Sequence, residues 1–320
     1  MRRLDATTIK SGIARRLGYW RHMRVARHVM DTPALRVGDD GIVIFSMLGT
    51  SGLQPYLVAV KSLHRHLRRG RIVIMDDGTL TDRDRAILND HCDRPEFVDM
   101  DSIDTGNCPK GNCWERLHHI MTLRRENYVI QLDSDTVTLD QLKHVDEAID
   151  ANRSFTLAGG IKEAEYGFQS MAEMARTFYP HEIETQNVQQ LAEMAMALLP
   201  DSDKLRYTRG SAGFAGFSKQ SEGRDELIRF SEVVEGRIGR KWHDWGSEQV
   251  ASNFVVANDT DPVLLPYDRY VNHWAEPLPP NPGFIHFIGT YRYARGDYSR
   301  ATQRAIAHLN SPYPDSRNTA

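Results

Sequence analysis

Residues 128–138, YVIQLDSDTVT, decide the fold. Tyr128, Val129, Ile130 and Leu132 form an almost unbroken apolar run, which reads as a strand buried on both faces. Asp133 and Asp135 follow with only Ser134 between them, and β-branched residues resume at Thr136, Val137 and Thr138. A buried strand that ends in two acids must meet positive charge, because a bare carboxylate is costly to remove from water. A divalent cation is the simplest partner. Hard oxygen ligands suit Mg²⁺ or Mn²⁺, ions that also carry diphosphates. The stretch points to a metal–diphosphate site at the mouth of a strand.

The same pattern repeats upstream. Residues 42–47 (IVIFSM) read as a buried strand that runs into Leu48–Gly49–Thr50–Ser51–Gly52. A helix is expected over 56–67, with Leu57, Val60, Leu63 and Leu67 on one face. Residues 71–75 (RIVIM) give a second buried strand, ending in Asp76–Asp77–Gly78. Thr81 caps a helix running to Cys92, with Asp82 and Asp84 in its first turn. A weaker strand over 95–100 and a helix over 114–125 lead into the opening stretch. Strand–helix alternation with short connections predicts an α/β fold with a mixed, mostly parallel central sheet flanked by helices. Ligands of such sheets bind at the carboxyl ends of the strands. There the polar residues collect: Ser46 to Gly52, Asp76–Asp77, and Asp133 with Asp135. Neither GxGxxG nor GxxxxGK[ST] is present, which argues against a dinucleotide dehydrogenase or a P-loop nucleotidase.

Downstream, residues 155–161 (FTLAGGI) read as a strand. Residues 162–205 are rich in Met, Glu and Gln, and Met171, Met174, Leu191, Met194 and Leu198 recur with helical spacing. They are expected to pack a helical insert. Residues 211–218 (SAGFAGFS) form a Gly-punctuated strand, where missing side chains permit close approach. A helix over 245–258, a short strand over 263–265 and another over 284–288 (FIHFI), which carries His286, complete the pattern. The last ten residues are expected to be disordered.

At 320 residues, 40% hydrophobic and 26% charged, the chain has the composition of an ordinary soluble protein. No apolar run approaches the roughly 20 residues of a membrane span, and the first thirty residues lack the apolar core of a signal peptide. Three cysteines make no disulfide framework, so a cytoplasmic location is expected. The net charge of −3 hides an asymmetry: residues 1–30 carry seven Arg and one Lys against a single Asp, leaving about −10 for the rest. A basic segment on an acidic body is not the footprint of a nucleic-acid-binding domain. Residues 9–30 read as a helix with Ile9, Ile13, Leu17 and Trp20 in periodic positions. It is either a helix packed on the domain or a peripheral membrane contact. The expected division is a basic helical extension over 1–36, one α/β domain over 37–300 with the helical insert at about 162–205, and a tail over 301–320.

Four features come in order along the chain. Arg116–Leu117 lies on the helix before the opening strand, and Asp133–Ser134–Asp135 follows that strand. Glu248–Gln249–Val250–Ala251–Ser252–Asn253 opens a later helix. His286–Phe287–Ile288–Gly289–Thr290–Tyr291–Arg292 closes the domain. In this order and context the chain resembles a GT-A glycosyltransferase over residues 40–295, most closely the retaining family 8 type, the relatives of glycogenin and of lipopolysaccharide galactosyltransferases. The family has Lys where this chain has Arg292.

The resemblance implies transfer of a sugar from a nucleotide-diphosphate donor, a UDP-sugar, to an acceptor hydroxyl, with retention of configuration. Mn²⁺ or Mg²⁺ would offset the charge of the departing diphosphate. Asp133, Asp135 and a neutral His286 are its expected ligands, and Arg292 an added cation on the same phosphates. Ser46, Leu48, Gly49, Asp76, Asp77, Arg116, Ser134 and Gly289 complete the expected donor site, with Asp76 favoured against the nucleobase. Glu248, Gln249 and Asp244 are the candidate catalytic residues. The acceptor, whether glycan, lipid-linked or protein, is not specified by these motifs.

Other readings stay open on sequence alone. An inverting enzyme would use the acid of residues 245–248 (WGSE) as general base. A sugar-phosphate nucleotidyltransferase would carry a basic first loop, and residues 48–52 hold no Lys or Arg. A non-enzymatic nucleotide-binding regulator can share the fold. Asp133 and Asp135, or Asp76 and Asp77, can instead serve turns. His286 can be a core histidine, and Glu248 a first-turn helix acid. Cys108 and Cys113, ahead of His118 and His119, lack the tight spacing of a zinc site and are expected to be free thiols. Trp242 and Trp245 suit either a sugar platform or the core.

Overall fold

The apolar runs become neighbouring strands of one sheet. The computed structural model describes residues 6–181 and 183–312. Helix α1 (Ala6–Ala26) precedes the sheet. Strands and helices then alternate as the sequence predicts: β1 (Ile42–Leu48), α2 (Leu53–Leu67), β2 (Arg71–Asp76), α3 (Asp82–His91), β3 (Glu96–Asp99), α4 (Trp114–Leu123) and β4 (Tyr128–Leu132). Next come β5 (Thr136–Thr138), α5 (Lys143–Asp150) and β6 (Phe155–Ala158). The insert holds α6 (Ile161–Tyr166), β7 (Gln169–Ser170), α7 (Met171–Phe178), α8 (Val188–Ala195) and β8 (Arg206–Tyr207). The chain continues through β9 (Gly210–Phe217), α9 (Arg224–Ile238) and α10 (Ser247–Asn258). It ends with β10 (Val263–Leu265), β11 (Tyr270–His273), β12 (Phe284–Phe287) and α11 (Asp297–Leu309).

Among the described residues, the main sheet has seven strands in the order β10-β6-β9-β4-β1-β2-β3. Only β9 runs antiparallel to its neighbours β4 and β6; the other pairings are parallel. Alternate residues of each strand feed two cores. Ile42 and Ile44 pack with Leu57, Val60, Ile74 and Ile130 on the face covered by α2. Val43 and Phe45 pack with Val73, Trp114, Val129 and Phe217 on the other. Both faces are dry, which is why these strands read as unbroken apolar runs. At α3, Thr81 and Asp84 form the reciprocal capping box that fixes the first turn.

A smaller sheet, β11-β12-β5, sits at the carboxyl end of β4. β12 is antiparallel to β5, and His286 lies opposite Thr136. That register delivers a residue from late in the chain to the neighbour of Asp135. The glycines of β9 make room for it. A Cβ at Gly213 would lie 2.2 Å from His286 Cε1, and one at Gly216 would lie 2.3 Å from Phe155 Cε1.

Two expectations need correction. Residues 301–309 are not a tail but most of α11, which packs on α1 and α2 through Tyr298, Ala301, Thr302, Ala305 and Ile306. The helical spacing is present, but small residues hold three of its five inward positions. Residues 313–320, most of the segment expected to be disordered, lie outside the described residues. The helix at the N-terminus is observed, but Leu17 and Trp20 do not form its packed face. They are 65% and 69% exposed, and His22 and Ala26 are buried instead. The side chains of Ile9 and Ile13 lie outside the described residues. Among those residues no helix is long and apolar enough to cross a membrane.

A buried ion pair ties the far end of the sheet. Arg124, after α4, bonds Asp259 at 2.7 Å, the Ser218 hydroxyl at 3.0 Å and the Ser218 carbonyl at 3.0 Å. Arg124→Ala would strand Asp259 and is expected to cost about 3–5 kcal/mol. Denaturant unfolding of the purified variant measures it.

Candidate metal centre

β4 stops where the two carboxylates begin. The Asp133 N–H donates to the Gly213 carbonyl at 2.9 Å, and the Thr136 hydroxyl donates to the Asp133 carbonyl at 2.9 Å. The Phe287 N–H donates to the Asp135 carbonyl at 2.9 Å, so β12 is stitched to the motif itself. Asp133, Asp135 and His286 each offer an atom, and the three atoms lie within 4.8 Å of one another.

The histidine is held in one useful tautomer. Its Nδ1 lies 2.9 Å from Asn272 Oδ1 on β11 and 3.2 Å from the Ser211 hydroxyl. Asn272 is oriented in turn by donating its Nδ2 to the Gly159 carbonyl at 3.0 Å. Its oxygen therefore faces the imidazole and accepts the Nδ1 proton, so Nε2 is the nitrogen turned to the acids, an ion-pair partner when protonated and a lone-pair donor to a cation when not. Nε2 points at Asp135 Oδ1, 3.3 Å away. The two carboxylates offer the hard oxygen donors that Mn²⁺ and Mg²⁺ take, and the imidazole adds a nitrogen donor of the kind first-row transition ions accept.

Guanidinium groups offset the acids. Burial pushes the Asp135 carboxyl up, but His286 and Arg292 outweigh it and hold it below the usual range. Arg292 contacts Asp135 directly and donates its Nε to the Phe287 carbonyl at 3.2 Å. Arg116, buried on α4, bridges Asp133 at 2.6 Å and Glu248 at 3.0 Å. Burial raises the Glu248 carboxyl against the pull of Arg116, and Asp133 adds to the rise. Glu248 Oε1 is buried with no protein partner.

Comparison with known proteins gives the fold a context. No protein-family model matches the chain, and no curated protein matches its sequence. The apo structure of the bifunctional glycosyltransferase WbbM is similar, with a TM-score of 0.50 at 16% identity over 86% of this chain. The fold is that of the GT-A glycosyltransferases. The chain spans about half of WbbM, 52% of its length. Looser likenesses include apo GlyE of Streptococcus pneumoniae TIGR4, with a TM-score of 0.44 at 14% identity over 87% of this chain and 66% of that one. Another is the galactosyltransferase LgtC in complex with donor and acceptor sugar analogs, with a TM-score of 0.44 at 12% identity over 86% and 98%.

On this GT-A frame the other sequence candidates take separate places. Ser46 and Leu48 are buried at the end of β1. Gly49 passes so close to Asp77 that a Cβ would lie 2.2 Å from its carboxylate. Asp76 accepts from the N–H groups of Gly78 and Leu80 at 2.9 and 3.2 Å and contacts Arg85. Asp77 accepts from the Thr79 N–H at 3.0 Å and its hydroxyl at 2.6 Å. Both acids thus shape the turn beyond β2. The Ser134 carbonyl accepts the Tyr298 hydroxyl at 3.3 Å. Gly289, at φ +41°, opens the turn that returns Arg292 to Asp135. Asp244 is exposed and pairs with Lys241 at 3.2 Å; no described contact joins it to the acid cluster. Trp242 is buried with its N–H on Ser231, while Trp245 is 78% exposed. Among the described residues no metal-binding group forms around the free thiols Cys108 and Cys113. Burial pushes the Cys113 thiol up to about 11.

Sequence reading missed the support shell. Gln249 donates to Gln189 of α8 at 3.2 Å, and Gln189 donates to Glu193 at 2.9 Å. Glu193 is buried between Arg209, at 3.0 Å, and the hydroxyls of Tyr179 and Tyr207. The insert therefore reaches the start of α10 through one amide. Only the i, i+4 spacing of Gln189 and Glu193 hinted at it. Asn272 gave no local signal. Asn272→Ala is expected to weaken Mn²⁺ binding about 10–100-fold, read by isothermal titration, because His286 loses its orienting partner. Unchanged affinity would show that Asn272 does not orient a metal ligand.

Proposed function

We propose that this chain is a metal-dependent glycosyltransferase that moves a sugar from a UDP-sugar to an acceptor hydroxyl with retention. The observation that carries the reading is the meeting of Asp133, Asp135 and His286 at the carboxyl end of a GT-A sheet. The cytoplasm, suggested by three unpaired cysteines, is the proposed compartment.

Asp133, Asp135 and Nε2 of His286 would hold Mn²⁺ or Mg²⁺, which supplies Lewis-acid neutralisation of the leaving diphosphate. Arg292, now on Asp135, would shift its guanidinium to a phosphate oxygen, where its planar fork suits two-point contact. Asp76 and Asp77 lie at the end of the strand beside β1 and are proposed to face the base. Arg116 keeps Glu248 beside Asp133, on the side proposed for the sugar. Gln249, its amide fixed by Gln189, positions the sugar for attack by the acceptor.

One feature favours the inverting alternative. Glu248 Oε1 has no protein partner, and burial raises its carboxyl, as a general base requires. The first-formed anomer, seen by NMR, separates the two routes.

A donor-hydrolysis screen across nucleotide-sugars with Mn²⁺ tests the reading. Release of UDP from one donor is expected, with loss on chelation. Asp135→Ala should cost on the order of a hundredfold or more. No turnover of any donor, or full activity in Asp135→Ala, would sink the assignment. Gln189→Ala is expected to lower kcat about ten- to hundredfold with donor KM and thermal midpoint little changed.

A further inference from the structure

Helix α1 has an outward face that the site does not use. Gly18, His22 and Ala26 recur every four residues and face inward. A Cβ at Gly18 would lie 2.8 Å from Tyr293, and His22 stacks on Tyr298 with ring centroids 3.7 Å apart. On the opposite side stand Leu17, Trp20, Arg24 and Arg27, with Arg16 and Arg21 flanking them. All six are exposed, and none of these arginines has an acidic partner among the described residues. Trp20, Arg21, Met23, Arg24 and Arg27 also line, with Gln54, an open cavity of about 610 Å³.

We propose that this face docks on a bilayer surface rich in anionic lipid. Unpaired guanidinium groups attract anionic headgroups, and each basic residue near such a surface adds to the attraction. A folded protein gains nothing from holding Trp20 and Leu17 in water. An interfacial indole beside arginines, whose stems can lie along the acyl boundary, suits the headgroup layer. A polyanion free in water would use the arginines but leave the indole and Leu17 exposed, so the bilayer is the better fit. The helix that carries this face touches the loop of Arg292 on its inner side. Tyr19 packs on Tyr293, one residue after Arg292, with centroids 5.6 Å apart. Docking would therefore hold the loop that carries Arg292 close to the membrane. The consequence, that the acceptor hydroxyl is carried on a lipid, rests on the transferase reading; the docking itself does not.

Flotation of the full chain with vesicles tests it without any substrate. Vesicles of phosphatidylcholine with about one third phosphatidylglycerol should carry the protein up the gradient, and pure phosphatidylcholine should carry about tenfold less. Binding should fall as ionic strength rises. The triple variant Arg16→Gln, Arg24→Gln, Arg27→Gln should lose about tenfold or more in partitioning, with its circular dichroism spectrum retained. Trp20→Ser should lower binding at fixed charge. Exposed Arg229→Gln on α9, a helix of the opposite core, should change nothing. Equal flotation with both vesicle types, or an unaffected triple variant, would overturn the proposal. So would retention by polyphosphate or by a second copy of the chain without vesicle binding. If vesicles bind but no nucleotide-sugar turns over, the docking stands and the transferase reading falls.

Discussion

Asp133 and Asp135 can stand at the end of a buried strand because Arg116 and Arg292 meet them there. The two arginines come from opposite directions in the chain. Arg116 rides on the helix just before β4, and Arg292 returns from the segment after β12. With Glu248 included, three carboxylates face two guanidinium groups, so the cluster is one positive charge short of balance. A divalent cation would turn that deficit into an excess, the electrostatic condition for receiving a diphosphate. The fold must therefore bring three remote segments to the tip of β4 before the charges are tolerable.

Much of that arrangement was legible in the residues. β1, β2 and β4 are covered on both faces, so they announce themselves as apolar runs, and the acids at their ends mark the edge of the sheet where the charged cluster gathers. His286 was legible only through its motif, because β12 is short and its pairing with β5 spans some 150 residues. β5 and β11 escaped notice: at three and four residues they are too short to show a period. α11 kept its helical spacing but filled it with Ala and Thr, which carry little hydrophobic signal. Asp76 and Asp77 show the opposite difficulty. Their position invited a ligand role, yet each spends hydrogen-bonding capacity on the turn that follows.

The support shell was the least visible layer. Asn272 acts on His286 from fourteen residues away, and Gln189 acts on Gln249 from sixty. Neither spacing has any local periodicity to betray it. Both are neutral amides, which can fix a neighbour's orientation without adding charge to a crowded site. The helical insert, read from its methionines as packing material, has a second role through the single outward amide of Gln189.

His22, Tyr298 and Phe287 stack in one column. Ring centroids are 3.7 Å apart for the first pair and 4.5 Å for the second, and the middle ring's hydroxyl reaches the Ser134 carbonyl. The aromatic column thus starts in α1, passes through α11 and ends in β12, directly behind the metal motif. A boundary drawn where the sheet begins would cut this column at its first member. Truncated there, the chain would keep every motif residue and yet bare the ring of Tyr298 to water. The unit that must fold together around the acids begins before the first strand.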